Sequence, residues 1–274
     1  MITRLYVNGC SWTDGDVLET NGLFKKLGLK GKGRDYSYPT LVGKYFNYDI
    51  IDESRMGGSL NRITRMVWEY MRTNVQYYDN TAYLLEIPNG FRDEVYSNEY
   101  NRFFNISSGT LLNDNDVTEV SEEFKKVRKK IVNMFYEFID HEQFKIKEYI
   151  NFMNLLFYFK TKNIPFFILQ PKSIDKTSYL FNDVFDEHNI INISDPSFKV
   201  ESYDFMQHMC KSEKLSIGDE LNGIIEDTHP GISGHKKISE IVIKHMEKYL
   251  EKNIKHVNMF EEIKLEKKPN TKLI

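Results

Sequence analysis

The chain has 274 residues, of which 41% are hydrophobic and 28% charged, with a formal net charge of −3. That length buries a substantial core and fits one domain with embellishments, and the composition excludes a disordered or collagen-like chain. The slight negative charge, with no basic stripe interleaved with aromatics, speaks against nucleic acid as a partner.

The two cysteines, Cys10 and Cys210, are too few for a disulfide framework and have no metal-ligand spacing. No metal site is expected from the cysteines. The opening ITRLYV lacks the long apolar core and cleavage site of a signal peptide, and no stretch is long enough to span a bilayer. The expected setting is a reducing, cytoplasmic one without a membrane partner.

Ile2 to Val7 reads as a short strand delivered into the turn Asn8-Gly9, so it points at Cys10-Ser11. A polar, glycine-rich stretch follows from Thr13 to Asp35. Tyr38 to Phe46 then reads as a helix with Pro39 in its first turn, and Tyr48 to Ile51 as a second strand. Ser59 to Tyr77 carries Leu60, Ile63, Val67, Tyr70 and Met71 at helical spacing, and Ala82 to Ile87 (AYLLEI) is an apolar run of strand length.

From Phe91 to Val120 the pattern dissolves into Asn, Asp, Ser and isolated aromatics, and this segment is expected to be an insertion over one rim. Two helices are expected over Glu122 to Lys162, broken near Asp140-His141. Phe166 to Gln170 (FFILQ) and Ile190 to Ile193 (IINI) read as strands, with helices expected from Asp175 to Glu187 and Val200 to Lys214. After a loop from Ser216 to Ser233, Gly234 to Asn253 has one apolar face and reads as the last helix. Residues 1–254 are expected to form the domain, with residues 91–120 inserted and 255–274 a charged tail.

Strands separated by helical segments predict a parallel sheet covered on both faces. The expected fold class is α/β, a three-layer α/β/α sandwich on a five-stranded parallel sheet. Ligands in such sheets bind beyond the carboxyl ends of the strands, at the switch point of strand order. Ser11, Gly58 and Asn89 each follow such an end.

A serine attacks a carbonyl at neutral pH only when a positioned base takes its proton. Ser11, in VNGCSWTDG, is therefore read with His229, in EDTHPGISGH, and Asp227 is expected to hold the imidazole in one tautomer. Glu226 is the alternative acid. Gly58, in MGGSLNRI, and Asn89, in LLEIPNGFRDE, are placed to join the Ser11 N–H in an oxyanion hole. Each feature alone is as readily a turn or a helix cap; their order along the chain is what joins them.

Trp12, Asn61, Phe91 and Arg92 flank these blocks as expected substrate contacts, with a local Arg92-Asp93 ion pair the favoured alternative for Arg92. Cys10 is expected to be structural, and His235 to make a capping or packing contact.

Ser11, Gly58, Asn89 and His229 resemble, in order and setting, the four blocks of the SGNH (GDSL-like) hydrolases, over roughly residues 1 to 250. NGCS with a following Thr and Gly, GSLNRI, Arg92-Asp93, and Asp-x-His-Pro with a downstream Gly-His resemble a subgroup common in phage genomes. The chain departs from the family pattern in having Gly9-Cys10-Ser11 for Gly-Asp-Ser, one residue fewer between acid and histidine, and no Gly before Asn89.

The resemblance implies a flavodoxin-like sheet and a cofactor-free serine esterase acting on a small acyl ester, for instance an O-acetylated carbohydrate. The alternatives are O-acetyl transfer to a glycan, or a non-catalytic binding or structural protein such as a virion component. Oligomeric state is not legible in the sequence.

Overall fold

A computed structural model describes residues 1–15, 17–20, 23–28, 30–88, 92–106, 121–138, 140–170, 190–192, 214, 216–220 and 229–257. In chain order the elements are β1 (Arg4–Asn8), α1 (Ser11–Asp14), α2 (Val17–Thr20), α3 (Leu23–Leu27), a 3-10 turn (Gly33–Tyr36), α4 (Tyr38–Phe46), β2 (Asp49–Asp52), α5 (Leu60–Thr73) and a second 3-10 turn (Val75–Asn80). They continue with β3 (Thr81–Glu86), β4 (Asp93–Ser97), β5 (Arg102–Ile106), α6 (Glu122–Phe138), α7 (His141–Thr161), β6 (Phe166–Gln170), β7 (Ile190–Asn192), α8 (Ile217–Glu220) and α9 (Ile232–Val257).

β1 pairs in parallel with β2 on one edge and β3 on the other, with Leu5 opposite both Ile50 and Ala82. β3 pairs with β6 and β6 with β7, again in parallel, giving the order β2-β1-β3-β6-β7. Strand order reverses between β1 and β3, where ligands of open α/β sheets bind.

Side chains alternate across the sheet with period two. Leu5, Val7, Ala82, Leu84, Phe167 and Leu169 face Tyr38 and Val42 of α4 and Ile238, Val242 and Met246 of α9. Tyr6, Tyr83, Leu85, Phe166 and Ile168 face the other way, onto Ile63 and Val67 of α5 and Phe152, Leu156 and Phe159 of α7.

The expectation that all strands belong to one five-stranded parallel sheet is corrected. A separate antiparallel sheet, β4 with β5, stands inside the segment expected to be an irregular insertion, with Val95 opposite Phe104 and Ser97 opposite Arg102. The parallel sheet itself is carried by four full strands, β2-β1-β3-β6; β7 adds only three residues at its edge. The hairpin was hidden because its strands, DEVYS and RFFNI, are short and half polar. Each carries too few apolar positions to register as a period, and Asn, Asp and Ser surround them.

The hairpin is fastened to α5. Arg65 grips the Glu94 carboxylate through two bonds, at 2.6 and 2.8 Å, and its guanidinium lies over the Phe103 ring. Phe104 is buried with Val95, Tyr100 and Phe124, so these rings seal the hairpin onto α6. The polar stretch from Thr13 to Asp35 holds α2, α3 and a 3-10 turn. The helices expected from Asp175 to Glu187 and Val200 to Lys214 lie outside the described residues, apart from Lys214 in a turn. No helix among the described residues is long and apolar enough to cross a membrane.

α5 begins where Ser59 accepts the Arg62 N–H at 3.1 Å on its side-chain oxygen, so a hydroxyl satisfies one of the donors a helix start leaves open. Ser59→Ala is expected to destabilise the protein by about 1 kcal/mol in urea unfolding; Ser59→Asp, which restores an acceptor, is expected to recover most of that loss.

Candidate active site

Ser11 is the first residue of α1, which starts three residues beyond β1, and it is buried. Its Oγ lies 2.9 Å from Nε2 of His229, 218 residues away in sequence. The Trp12 ring packs on the His229 imidazole with centroids 5.5 Å apart. The Ser11 N–H has no acceptor among the described residues, as a first-turn donor of a helix often does not.

The backbone of His229 and of the proline after it is held by the segment from Ser216 to Ile217. The His229 carbonyl accepts the Ile217 N–H at 2.9 Å, and Pro230 bridges Ser216. Two residues further on, α9 begins, and the Glu220 carboxylate accepts the N–H groups of Ile232 and Ser233 at 3.0 and 2.7 Å. A carboxylate at a helix N-terminus satisfies both the open donors and the helix dipole. Asp227 and Glu226, the expected triad acids, lie outside the described residues, as do Asn89 and Phe91.

The loop from Glu53 to Gly58 tracks the nucleophile turn. Arg55 donates its N–H to the Gly9 carbonyl at 3.2 Å, and a Cβ on Gly58 would fall 2.8 Å from that same oxygen. Gly58 is therefore required for close backbone approach. Its N–H, expected to face an oxyanion, donates instead to the Arg55 carbonyl at 2.9 Å. Asp14, at the end of α1, joins this frame by accepting the Met56 N–H at 3.1 Å and pairing with Arg34 at 2.8 Å.

The remaining expected contacts are distributed. Asn61 donates to Asp93 at 3.2 Å across the base of the hairpin, and its own N–H reaches Glu148. No ion pair joins Arg92 to Asp93 among the described residues; Asp93 takes the Asn61 amide instead, and Nη1 of Arg92 is buried without a hydrogen-bond partner among the described residues. The favoured local ion pair is thus corrected: neighbours along a strand start point to opposite sides.

Sequence reasoning missed Glu86. It closes β3, is 1% exposed, and its carboxylate accepts three donors: the Cys10 N–H at 3.1 Å, the Cys10 thiol at 3.2 Å and the Thr13 hydroxyl. Because Thr13 has only one proton and gives it to Glu86, the Tyr38 hydroxyl, 2.8 Å away, donates to Thr13. Burial pushes the Glu86 carboxyl above its ordinary range, while Thr13, both Cys10 donors and the Arg92 charge draw it back. The signal in the sequence is a charged residue in an otherwise apolar run, AYLLEI.

Burial and then the Glu86 charge push the Cys10 thiol up to about 12, so it stays protonated and serves as a donor. His235 is buried too, and its Nδ1 accepts the Tyr38 N–H at 3.3 Å.

No protein-family model matches the chain, and no curated protein matches it in sequence. Among solved structures it is similar to the psychrotrophic esterase EstA from Pseudoalteromonas sp., solved inhibited by monoethylphosphonate, at 10% identity over 90% of this chain and 99% of that one, with a TM-score of 0.41. It is similar to LAE5, an alpha/beta hydrolase enzyme from the metagenome of Lake Arreo, at 11% identity over 89% and 94%, TM-score 0.35. A carbohydrate esterase matches at 12% identity over 90% of this chain and 65% of its own, TM-score 0.41. These are distant likenesses of chain trace.

Burial first, and then electrostatic repulsion from His229, hold His235 down to about 3 from an ordinary 6.5. A histidine kept neutral in the fold but free to charge when unfolded contributes stability that is complete above about pH 6.5 and is lost as the pH falls toward 3. Between pH 7 and pH 5 the wild type is expected to lose about 2 kcal/mol more than His235→Asn, which keeps an acceptor but cannot titrate. Urea unfolding at the two pH values checks this; parallel losses in both proteins would contradict it.

Proposed function

We propose that the chain is a serine esterase of the SGNH (GDSL-like) type, with Ser11 as nucleophile and His229 as general base. The observation that carries this reading is the 2.9 Å contact between Ser11 Oγ and His229 Nε2 at the carboxyl edge of a parallel sheet. A buried serine at a helix start, hydrogen-bonded to an imidazole and with its own N–H unclaimed among the described residues, has the parts acyl transfer needs.

In this reading Ser11 Oγ bonds to an ester carbonyl carbon as its proton passes to His229 Nε2. The Ser11 N–H holds the oxyanion, the Asn89 amide adds a second donor, and the Gly58 N–H contributes once it leaves the Arg55 carbonyl. His229 then gives the proton to the departing alkoxide as the C–O bond breaks. Water, deprotonated by the same imidazole, releases the acyl group and regenerates the serine. Asp227 holds His229 in the tautomer that leaves Nε2 open. Trp12 packs against the imidazole at a tilt and limits its rotation. The substrate class proposed is a small acyl ester such as an O-acetylated carbohydrate, with Arg92 facing it.

A fluorophosphonate probe is expected to label Ser11 in the folded protein, and Ser11→Ala is expected to lose both labelling and p-nitrophenyl acetate turnover with its melting temperature nearly unchanged. Turnover retained in that variant would remove Ser11 from the chemistry. Asp227→Asn is expected to lower kcat by about 10⁴-fold, while Glu226→Gln leaves it near wild type. The reverse ranking in the same assay would transfer the acid's role to Glu226.

A further inference from the structure

Two groups of the nucleophile turn converge on a single oxygen of a residue far away in sequence. The backbone N–H of Cys10, which immediately precedes Ser11, and the hydroxyl of Thr13, two residues after it, both donate to Oε2 of Glu86. The Cys10 thiol donates to the other oxygen at 3.2 Å. The turn is thus held on both sides of the serine from the end of β3, the strand beside β1. Gly9 leaves just enough room, since a Cβ there would fall 2.6 Å from Oε2 and 2.3 Å from the Thr13 hydroxyl oxygen.

Cys10 is the N-cap of α1 but makes no side-chain cap hydrogen bond, so its side chain does not hold the helix start in the usual way. The α1 helix is four residues long, too short to hold its own direction by helical cooperativity. Something outside it must fix where Ser11 points.

Resting on the esterase reading above, we infer that Glu86 is the positioning residue of the nucleophile: by accepting the Cys10 N–H and the Thr13 hydroxyl on one oxygen it sets the orientation of the Cys10–Thr13 turn, and so keeps Ser11 Oγ on His229 and the Ser11 N–H directed into the site. Glu86 touches neither substrate nor reacting atoms. It acts through the backbone, and no bond forms or breaks at it. A displacement of about 1 Å at a reacting group costs on the order of 100-fold in rate, so the effect of losing this anchor falls on reactivity rather than on substrate affinity.

Because both contacts fall on one oxygen, the conservative variant is informative. Glu86→Gln can place its carbonyl oxygen where Oε2 stands and turn its NH2 toward the Cys10 sulfur, whereas Glu86→Leu removes the acceptor altogether. Thr13→Val removes one of the two donors and leaves the carboxylate in place, and serves if Glu86→Leu does not fold. The measurement is the rate at which a fluorophosphonate inactivates each protein, separated into binding and inactivation constants and corrected to the folded fraction by circular dichroism.

The inactivation constant is expected to fall about 100-fold in Glu86→Leu and about tenfold in Thr13→Val, with the binding constant within about threefold of wild type and Glu86→Gln recovering most of the rate. A residue that served only stability would lower the melting temperature while each folded molecule reacted at the wild-type rate. That outcome, with the wild type labelled at Ser11, would overturn the positioning role and leave the esterase reading standing. A wild type that is not labelled at Ser11 would overturn the reading itself, and this inference with it.

Discussion

β1 has hydrogen-bonded neighbours on both edges, and both run parallel to it. A buried strand must find partners for every backbone N–H and C=O, and taking them from β2 and β3 in parallel aligns three carboxyl ends on one side of the sheet. The turn carrying Ser11, the loop carrying Gly58 and the carboxylate of Glu86 meet because of that alignment alone. The last helix completes the arrangement by packing Ile238, Val242 and Met246 on the same face of the sheet as α4, which brings its approach segment, with His229, over the end of β1.

The elements that could be read in the sequence are those whose own residues decide their state. FFILQ and AYLLEI are apolar runs of strand length, and the structure places strands at Phe166–Gln170 and Thr81–Glu86. The helix from Tyr38 to Phe46 carries its Pro in the first turn and ends at Asn47 in a left-handed conformation, a stop that Asn tolerates better than most residues. The elements that escaped are those decided by tertiary contact. β4 and β5 exist because Arg65 and α6 cover them, and α2 and α3 are too short to show a period.

The site follows the same division. Chain order was enough to pair Ser11 with His229 as candidates, and the structure brings these two into contact. It could not show that the Gly58 N–H is turned toward Arg55, that Asp93 takes an amide in place of its neighbouring arginine, or that a strand glutamate reaches the serine's turn. Each of these depends on the direction of one donor or acceptor, which spacing along a chain does not encode. The buried polar path from Glu86 through Thr13 to Tyr38, whose N–H meets His235, illustrates the point. Burying a carboxylate costs several kcal/mol unless donors surround it, and here the donors come from segments that share no local pattern.

The separation of 218 positions between Ser11 and His229 also bears on how the protein is made. Contacts this distant in sequence close late, because loop-closure entropy must be overcome before they are rewarded. A ribosome delivers β1 and its serine long before the histidine. Until then Ser11 is an ordinary alcohol with no base beside it. The serine therefore emerges inert, and the serine–histidine pair comes into being only after the segment carrying His229 has been made and has folded back onto the end of β1.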